Sequence, residues 1–352
     1  MISKEEKYFE NDGRGFDHLR IRDSTPIQPP VPVITINGQT ISTAGNITTI
    51  SGEAKSGKSG FAGILISAAL SQNGIVESLD ELYVQPNTLG KGVLYFDTEH
   101  SQPTHWKNHL SILNRCGLES CPDYFGSYNL KTLDLVEFAK VTNEICKFSF
   151  NKFRGIHLII IDNGADFLAD FNDPVESSVV VNYFEKLAEK YSAPVIITIH
   201  TSGKREKEIG HLGSCFQRRS ESVLSIIAEG EISFVVPKFL RMADKKDIIP
   251  IAFRFDKELG YHTGCKIENQ ILFVDDTDRG FLISKICSDI FKDGTDLLSD
   301  EVVAAIIKKT HKATGTAKGI FKEMVAHNMI IQEGDKKWRV NPKYNYNKIG
   351  EN

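Results

Sequence analysis

One stretch of this chain restricts its possible folds more than any other. Residues 52–59 read Gly-Glu-Ala-Lys-Ser-Gly-Lys-Ser, which matches the pattern G-x-x-x-x-G-K-[ST]. A short β segment predicted at 47–50 precedes it, and an apolar helix predicted from Ser59 to Ser71 follows it. A glycine-bearing loop between a buried strand and a helix lets main-chain N–H groups surround an anion at the positive end of that helix. The chain is therefore predicted to contain a phosphate-binding loop.

The side chains of this loop predict the ligand more closely. Lys58 is placed to pair with the β- and γ-phosphate oxygens of a nucleotide, and the Ser59 hydroxyl to hold Mg²⁺. ATP and Mg²⁺ are therefore the predicted cofactors, and a flexible Gly/Ser loop without a ligand is the alternative. The predicted nucleotide-binding residues are Gly52, Glu53, Ala54, Lys55, Ser56, Gly57, Lys58 and Ser59.

Apolar strands alternate with helices after this loop. The strands contain no polar alternation, as expected for strands that are buried on both faces, and the βα order indicates a mainly parallel sheet. Hairpin-forming segments follow, and we expect them to extend the sheet with antiparallel strands. The predicted strands are 93–96, 124–128, 157–161 and 194–199, the helices 102–115, 133–147 and 177–191, and the hairpin segments 222–228, 232–237 and 251–255.

Changes in composition divide the chain into four predicted parts. The N-terminal residues are charged and then punctuated by proline, which is typical of an extended arm. Towards the C-terminus, two helical stretches (300–310 and 316–327), joined by a turn at Gly315, precede a hairpin, which is the order of a winged-helix module. We predict an arm at 1–32, an α/β domain at 33–285, a winged-helix-like domain at 286–345 and a tail at 346–352.

Three polar side chains are predicted to meet beside the phosphate-binding loop, because each follows an apolar strand. Asp162 can reach the shell of a bound Mg²⁺. Glu99 is placed to orient and deprotonate an attacking water. His200 is placed to sense a terminal phosphate. The alternatives are that Asp97 or Glu99 caps the helix beginning near Ser101 and that His200 is structural.

Basic residues in two places predict a DNA partner. A glycine-bearing loop predicted from 203 to 220 is basic, and basic side chains on a mobile loop suit a phosphate backbone. In the second C-terminal helix, two lysines four residues apart share one face. The predicted DNA-contacting residues are Lys204, Arg205, Lys207, Arg218, Arg219, Lys318 and Lys322. The alternatives are a solvated charged loop and a winged helix that binds protein.

Composition narrows the possible partners and compartments. The formal net charge is −4, so nucleic-acid binding must come from local patches. One such patch is 302–343, where nine Lys/Arg and three Asp/Glu give 9 − 3 = +6. The six cysteines form no C-x-x-C pair, which disfavours a zinc finger. Because the N-terminus lacks an apolar signal region, and the apolar run at 61–70 is about half a membrane span, we expect a cytoplasmic protein that contacts no membrane.

Taken together, these segments resemble the RecA-like ATPases, and within them the RepA-like hexameric helicases. They are most similar to the AAA-type ATPases encoded on plasmids and integrative elements. The resemblance covers roughly residues 33–256, about two thirds of the chain. It rests on GEAKSGKS at 52–59, FDTEH at 96–100, IIIDNGADFLADFNDPVES at 159–177, IH at 199–200 and GHLGS at 210–214.

The resemblance implies a RecA-like fold and a role for each residue of the predicted site. Lys58 and Ser59 would bind nucleotide and Mg²⁺, and Glu99 would be the catalytic carboxylate. Asp162 would be the Walker B acid, and His200 the sensor of the terminal phosphate.

The same resemblance implies a homo-oligomeric ring, most simply a hexamer. In such rings a basic residue from the neighbouring subunit completes each site. Arg241 is the favoured residue, with Lys238 as its companion. Their spacing is one residue longer than the K-x-R of related replicative helicases, so both stay candidates, and a salt-bridged surface pair is the alternative.

The leading hypothesis for function is therefore an ATP-hydrolysing, ring-forming DNA helicase or translocase. It would serve replication or mobilisation of a plasmid, phage or integrative element. A nucleotide-switched DNA-binding regulator or loader is the second hypothesis. A recombinase that coats single strands is the third.

Overall fold

A computed structural model describes most of the chain after its N-terminal arm. The described residues are 29–76, 78–202, 207–208, 210–265, 279–292, 294, 296–310, 312–333 and 336–342. The predicted tail, most of the predicted arm and residues 334–335 of the predicted C-terminal hairpin lie outside them. Within these residues, no helix is both long and apolar enough to cross a membrane.

Sixteen strands and eight helices form the described chain. The strands are β1 (Pro32–Ile36), β2 (Gln39–Thr43), β3 (Ile47–Gly52), β4 (Leu82–Val84), β5 (Gly92–Asp97), β6 (Phe125–Asn129), β7 (Ile156–Asp162), β8 (Val195–Ser202), β9 (Lys207–Glu208), β10 (Ser222–Glu229), β11 (Ile232–Leu240), β12 (Ile251–Asp256), β13 (Tyr261–Gly264), β14 (Leu297–Leu298), β15 (Ile330–Glu333) and β16 (Lys337–Val340). The helices are α1 (Lys58–Leu70), α2 (Gln102–Arg115), α3 (Leu135–Phe153), α4 (Pro174–Tyr191), α5 (Gly210–Arg219), α6 (Arg279–Ile290), α7 (Ser299–Thr310) and α8 (Thr314–Ala326).

A ten-stranded mixed sheet forms the centre of the α/β fold. Its order is β13-β12-β11-β10-β3-β8-β7-β5-β6, with β9 paired to β8 outside this path. All pairs from β10 to β6 are parallel, whereas β11, β12 and β13 add antiparallel strands. The predicted α/β class with a mainly parallel sheet and an antiparallel extension is confirmed.

The prediction was wrong about the first strand of that extension. β10 pairs with β3 in parallel, from Ser222 opposite Thr48 to Ile226 opposite Gly52. The reason is that α5 connects β8 to β10, and a helical crossover returns the chain in the direction from which it started. The antiparallel part therefore begins at β11.

Helices cover both faces of the sheet. α1 and α2 pack on one face, and α3, α4 and α5 pack on the other. Successive residues of β7 alternate between these two cores: Ile160 lies in the first, and Ile159 and Ile161 lie in the second. Each fully buried isoleucine contributes about 1.5–3 kcal/mol. This double burial explains why the strand sequence shows no polar alternation.

Capping side chains fix helix ends that the apolar pattern predicts less well. α4 begins at Pro174, three residues before its predicted start, because Asp173 Oδ1 accepts hydrogen bonds from the N–H groups of Val175 and Glu176 at 2.8 Å each. α3 begins with a capping box in which Asp134 and Glu137 each accept from the other's backbone. Such caps contribute about 0.5–2 kcal/mol.

The segment predicted as a basic loop from 210 to 220 is largely a helix. α5 spans Gly210–Arg219 and buries Leu212, Cys215 and Phe216 in the second core. These three positions have the i, i+3, i+4 spacing of a helix, so the sequence does contain the signal. The prediction gave the basic residues more weight than this apolar spacing.

The C-terminal part has a core of its own. α6, α7 and α8 pack together around residues that include Ile286, Ile306 and Met324. β14, β16 and β15 form a small antiparallel sheet beside them. The helix–helix–hairpin order is as predicted, but α6 and β14 precede it. Gly315 lies inside α8 rather than in the turn, because α8 starts at Thr314.

Candidate functional site

The loop between β3 and α1 requires glycine at two positions. A Cβ on Gly52 would lie 2.5 Å from Ser56 Oγ and 2.7 Å from the carbonyl oxygen of Ile226. Gly57 has φ +101°, and a Cβ there would lie 2.6 Å from Ser233 Oγ. The glycines of the G-x-x-x-x-G-K-S pattern therefore allow a tight main-chain loop that side chains would block.

This loop and the helix start that follows it present hydrogen-bond donors without partners. α1 begins at Lys58 without a side-chain cap, so the N–H groups of its first turn are available to a ligand. Ser56 Oγ is buried and has no hydrogen-bond partner in the described part of the chain. A helix N-terminus with free N–H groups and an orphaned hydroxyl fits an anion such as a phosphate.

Lys58 already occupies the centre of the loop. Its Nζ donates to the carbonyl oxygens of Gly52 at 3.0 Å and Glu53 at 2.8 Å, and it lies 3.2 Å from His200 Nδ1. Burial lowers the pKa of Lys58, while two nearby carboxylates act in the opposite direction. These partners are two neutral carbonyl oxygens and a ring nitrogen, which bind an ammonium group less strongly than a phosphate does. A bound phosphate can therefore replace them as the partner of Lys58 Nζ.

The contact with Lys58 fixes the proton of His200. An ammonium group can only donate, so Nδ1 must accept and Nε2 must carry the hydrogen. Nε2 lies 3.5 Å from Glu99 Oε2. His200 therefore connects the lysine of the loop to the predicted catalytic carboxylate. The parallel register that sets His200 opposite Gly52 produces this placement.

Glu99 lies on the loop after β5 and lines the same cavity as Lys58. The hydrogen bond from His200 lowers the pKa of Glu99, which keeps the carboxylate ionised. The side chain is 44% exposed, so water has access to it. An ionised, water-accessible carboxylate beside a phosphate cradle can accept a proton from water.

Asp162 lies at the end of β7 and is fully buried. Tyr95 Oη donates to one carboxylate oxygen at 3.0 Å and Thr198 Oγ1 to the other at 2.6 Å. The Ser59 side chain also hydrogen-bonds to this carboxylate, and burial raises its pKa. The two predicted Mg²⁺ ligands are thus in direct contact with each other. A hydroxyl and a carboxylate oxygen are ligands that Mg²⁺ prefers, and phosphate and water oxygens complete its shell in nucleotide sites.

Within the described residues, no group of three or more His, Cys, Asp or Glu side chains is placed to hold a metal ion. The Ser59–Asp162 pair fits a metal that arrives with a phosphate ligand.

Asp97 is a site residue that the sequence suggested only as a possible helix cap. Its Oδ1 accepts from the backbone N–H groups of Glu99 at 3.0 Å and His100 at 2.9 Å. Its Oδ2 accepts from His105 Nδ1 at 2.8 Å. Burial alone would raise the pKa of Asp97, but hydrogen bonds from both histidines outweigh burial and hold the pKa well below its usual range. Its position two residues before Glu99 was the available signal.

The cavity beside the loop has a volume of about 300 Å³ and continues past α1. Arg115 and His262 form its far wall, and Arg115 Nε donates to the carbonyl oxygen of His262 at 2.9 Å. Burial and the nearby Arg115 lower the pKa of His262 to about 4, so the imidazole is neutral near pH 7. The sequence argument missed this wall because the short strand β13 was not predicted.

A second cavity, of about 740 Å³, lies on the other side of the Glu99–His200 pair. Asp166 and Lys131 contribute polar groups to it, and Leu168 contributes to its apolar wall. Glu99 and His200 line both cavities. The candidate site is therefore open from two directions.

The predicted basic pair lies away from the site of its own chain. Lys238 lies near the end of β11, and Arg241 directly follows this strand. The last residue of β11, Leu240, pairs with Ser222 at the start of β10. The 52–59 loop adjoins the other end of β10, where Ile226 pairs with Gly52. Four residues of strand separate these two ends, about 13 Å. Neither basic residue belongs to the loop's own cavity.

Arg218 and Arg219, two of the predicted DNA-contacting residues of the middle segment, do not lie on a loop. Arg218 and Arg219 are the last two residues of α5. Arg219 forms an ion pair with Glu185, and Arg218 Nε donates to the carbonyl oxygen of Ser214. These contacts with the chain itself correct the prediction of a free basic loop.

The other predicted DNA contacts divide into two groups. Lys204 and Arg205 lie outside the described residues, and Lys207 is described only through its backbone in β9. Lys318 and Lys322 are exposed on α8.

Neither the protein-family models nor the curated proteins that were searched contain a match to this chain. The geometry of the site is therefore the basis on which a function is inferred. Lys58, Ser59, Glu99, Asp162 and His200 meet at the ends of neighbouring strands.

Proposed function

We propose that this chain is an ATP-hydrolysing motor of the RecA-like kind, acting as a ring-forming DNA helicase or translocase. The observation that supports the proposal most strongly is the convergence of the β3–α1 loop with Glu99, Asp162 and His200. Parallel strands bring their carboxyl ends to one edge of a sheet, where ligands of open α/β sheets bind. A strand-end acid next to the loop hydroxyl and a second, water-accessible acid are what phosphoryl transfer to water requires.

ATP is held by the main chain of the 52–59 loop in this proposal. The free N–H groups at the start of α1 bind the phosphates, and Lys58 exchanges its loop carbonyls for phosphate oxygens. Ser59 and Asp162 hold Mg²⁺, which neutralises phosphate charge when it is bound. The fit of an orphaned Ser56 hydroxyl and two obligatory glycines supports an anion in this cradle.

Glu99 is the proposed general base. Its carboxylate is kept ionised by the hydrogen bond from His200, and its backbone N–H is held by the buried Asp97. A general base must be unprotonated and correctly placed. The contact with His200 meets the first requirement, and the contact with Asp97 meets the second. Glu99 takes a proton from the attacking water, which the exposure of its side chain admits to the site.

His200 is the proposed coupling residue. Without phosphate, Lys58 donates to Nδ1 and Nε2–H faces Glu99. A phosphate that recruits Lys58 removes the donor from Nδ1, so the ring is free to turn or to donate elsewhere. His200 is two residues from the end of β8, and its change is passed into the segment that follows this strand.

A neighbouring subunit completes the site in this proposal. Arg241, with Lys238 as the second candidate, lies too far from its own loop to act there and would instead complete the site of another copy. Such head-to-tail contacts form a closed ring, most simply a hexamer in this proposal, when the rotation between neighbours closes. The proposed role is replication or mobilisation of a plasmid, phage or integrative element. The C-terminal part of the chain is proposed to be a winged-helix-like module.

A nucleotide-switched DNA-binding regulator or loader is the second candidate. The observation that favours it is that α6, α7 and α8 have a hydrophobic core separate from those of the sheet. Exposed lysines lie on α8, away from the nucleotide site. Such a protein would use ATP for assembly and would not unwind DNA. A recombinase would instead form an open filament on single strands.

The discriminating experiment measures ATP hydrolysis and strand displacement together. We expect single-stranded DNA to stimulate hydrolysis more than duplex DNA does, and forked DNA to be unwound, with both activities lost in Lys58→Ala. Hydrolysis with no displacement, together with tight duplex binding, would favour the regulator. Absence of hydrolysis under all DNA conditions would reject the motor.

A further inference from the structure

The loop that carries Glu99 places a second ionisable side chain, His100, in the cavity beside the 52–59 loop. His100 follows Glu99 directly between β5 and α2, and it lines this cavity of about 300 Å³ together with Lys58 and Glu99. Its side chain is 24% exposed, so part of the ring borders the cavity. His100 therefore faces the same bound ligand as Glu99.

Asp97 fixes the ring of His100 through one of its two nitrogens. Nδ1 lies 3.1 Å from each carboxylate oxygen of Asp97, which is fully buried. A carboxylate can only accept hydrogen bonds, so Nδ1 carries the hydrogen. The backbone of His100 is held as well, because its N–H donates to Asp97 Oδ1 at 2.9 Å and its carbonyl oxygen accepts from Asn129 Nδ2 at 2.8 Å. The ring therefore has a fixed orientation.

The other ring nitrogen of His100, Nε2, is left without a partner. Within the described part of the chain it makes no hydrogen bond. Because Nδ1 faces the buried carboxylate of Asp97, Nε2 lies on the side of the ring away from that carboxylate. A nitrogen in this position can bind a ligand in the cavity without breaking any contact of the fold.

The charges around His100 favour its protonated form. The hydrogen bond to Asp97 raises the pKa of His100, and burial acts in the opposite direction. The negative charges of Asp97, Asp162 and Glu99 add to the increase. A protonated ring carries a hydrogen on Nε2 as well as on Nδ1, so both nitrogens are donors. Nε2 can therefore donate to an anion in the cavity.

The other histidines that line this cavity are not placed to do the same. Both nitrogens of His200 face partners, Nδ1 towards Lys58 and Nε2 towards Glu99. Burial is the main cause that lowers the pKa of His262 to about 4, so that ring is neutral near pH 7. Among the three histidines in the described lining, His100 alone combines a raised pKa with an unpaired nitrogen.

The lysines and the arginine of the cavity lie on its other sides. Lys55 and Lys58 belong to the 52–59 loop, and Arg115 at the far wall is already bonded to the chain through Nε and Nη1. Glu99 is negative, so a terminal phosphate that approaches it needs a positive donor close by. Among the described residues that line the cavity, His100 supplies that donor on the Glu99 side.

We propose that His100 is a further catalytic residue, whose Nε2–H donates to the terminal phosphate of the bound nucleotide during transfer to water. The water oxygen bonds to the terminal phosphorus, the bond from phosphorus to the bridging oxygen breaks, and ADP leaves with that electron pair. Glu99 takes the water proton, and His100 keeps both of its own. This assignment rests on the proposed function.

The direction of transfer explains why this contact would accelerate the reaction. The phosphorus moves away from the bridging oxygen and towards the attacking water, and so towards the loop that carries Glu99 and His100. A hydrogen bond from Nε2 therefore becomes stronger in the transition state than it is with ATP. Only interactions of this kind raise the rate of the chemical step.

The test measures binding of a transition-state mimic as well as turnover. The full-length protein with Mg²⁺ is titrated with fluorescently labelled ADP, with and without aluminium fluoride, which imitates the phosphoryl group during transfer. In His100→Asn, the asparagine amide nitrogen can replace Nδ1 at Asp97, while nothing replaces Nε2. We expect the tightening of ADP binding by aluminium fluoride to fall at least about tenfold, as for the loss of one charge-assisted hydrogen bond, and kcat to fall by a similar factor. The affinity for ADP alone should stay within about threefold of wild type.

The matched control is His109→Asn, which makes the same change at a histidine of the neighbouring helix α2. The ring of His109 stacks between Trp106 and Phe125 and is not part of the described cavity lining. We expect its kcat and its aluminium-fluoride effect to stay within about threefold of wild type. Equal losses in the two variants, or a loss of ADP affinity in His100→Asn as large as the loss with aluminium fluoride, would indicate a structural role and overturn the proposal.

A second variant keeps a donor in the cavity. The amide of His100→Gln reaches close to the position of Nε2 but carries no charge. We expect its aluminium-fluoride effect to lie between those of His100→Asn and wild type, because neutral hydrogen bonds are weaker than charge-assisted ones. An effect no larger than in His100→Asn would contradict a contact through Nε2.

A double variant separates direct contact with the phosphate from an action through Glu99. In a Glu99→Gln background, His100→Asn should reduce the aluminium-fluoride effect by the same factor as in wild type, since the two side chains act on different atoms. Disappearance of the reduction in that background would mean that His100 only positions Glu99, and it would overturn the direct contact. Wild-type protein that binds no ADP would refute the proposed function, whereas a normal aluminium-fluoride effect in His100→Asn would refute this inference alone.

Discussion

Replacement of Asp97 by asparagine should separate the positioning of the base from the binding of nucleotide. Asp97 holds the N–H groups of Glu99 and His100 with one oxygen and His105 with the other. Asparagine keeps one acceptor, but its amide N–H₂ would face the donating Nδ1 of His105. At least one charge-assisted hydrogen bond is lost, each of which contributes about 1.5–3 kcal/mol.

The expected effect on ATP hydrolysis follows from which parts of the site Asp97 contacts. Asp97 touches the backbone of Glu99 but not the 52–59 loop, so the affinity for ATP should change less than threefold. A carboxylate that shifts by about 1 Å costs on the order of 10²-fold in turnover. We therefore expect kcat to fall 10- to 100-fold while KM for ATP stays nearly constant.

The assay is steady-state ATP hydrolysis over a range of ATP concentrations, combined with thermal unfolding. Ser127→Ala is the matched control, because Ser127 contacts the far nitrogen of His105 and not Asp97 itself. Its kcat should stay within about threefold of wild type. If Asp97→Asn lowers the thermal midpoint but leaves kcat unchanged, Asp97 has a purely structural role and the reasoning is refuted.

Three further predictions concern other parts of the site. Glu99→Gln should keep ATP binding and lower turnover at least 100-fold, as filter binding and phosphate release can show; normal turnover would remove Glu99 from the base role. Arg241→Ala should be inactive alone but regain activity when mixed with Lys58→Ala. In the mixture, some interfaces combine the intact 52–59 loop of one variant with the intact Arg241 of the other. Absence of rescue would argue against action in trans. The folded-state pKa of His262, about 4, lies below its unfolded value near 6.5. The stability contributed by neutral His262 is thus present above pH 6.5 and lost as pH falls towards 4. Chemical denaturation should show that the free energy of unfolding falls over this pH range in wild type and falls less in His262→Gln. Equal decreases in the two proteins would contradict the assignment.

The central sheet was predictable because its strands are buried on both faces. Runs such as 157–161 contain only apolar residues after His157, and burial between two helical layers is the physical cause. The convergence of Glu99, Asp162 and His200 was predictable for a related reason: side chains that follow parallel strands share one edge.

Short or mixed elements were less predictable. β13 has four residues, all half-buried, so it carries no apolar run that would reveal it. α5 carries a helical apolar spacing, but its basic residues suggested a loop. Asp97 is the instructive case within the site, since an acid at a strand end reads like a cap and only its hydrogen bonds show that it holds the Glu99 backbone.

The central claim is that the 52–59 loop, Glu99 and Asp162 converge on one bound nucleotide. The most direct measurement is a crystal structure of Glu99→Gln with ATP and Mn²⁺ in place of Mg²⁺, in which anomalous scattering locates the metal. We expect the metal between Ser59 Oγ and the Asp162 carboxylate, and the terminal phosphate beside Lys58 Nζ. A nucleotide bound elsewhere, or a metal out of reach of both Ser59 and Asp162, would contradict it.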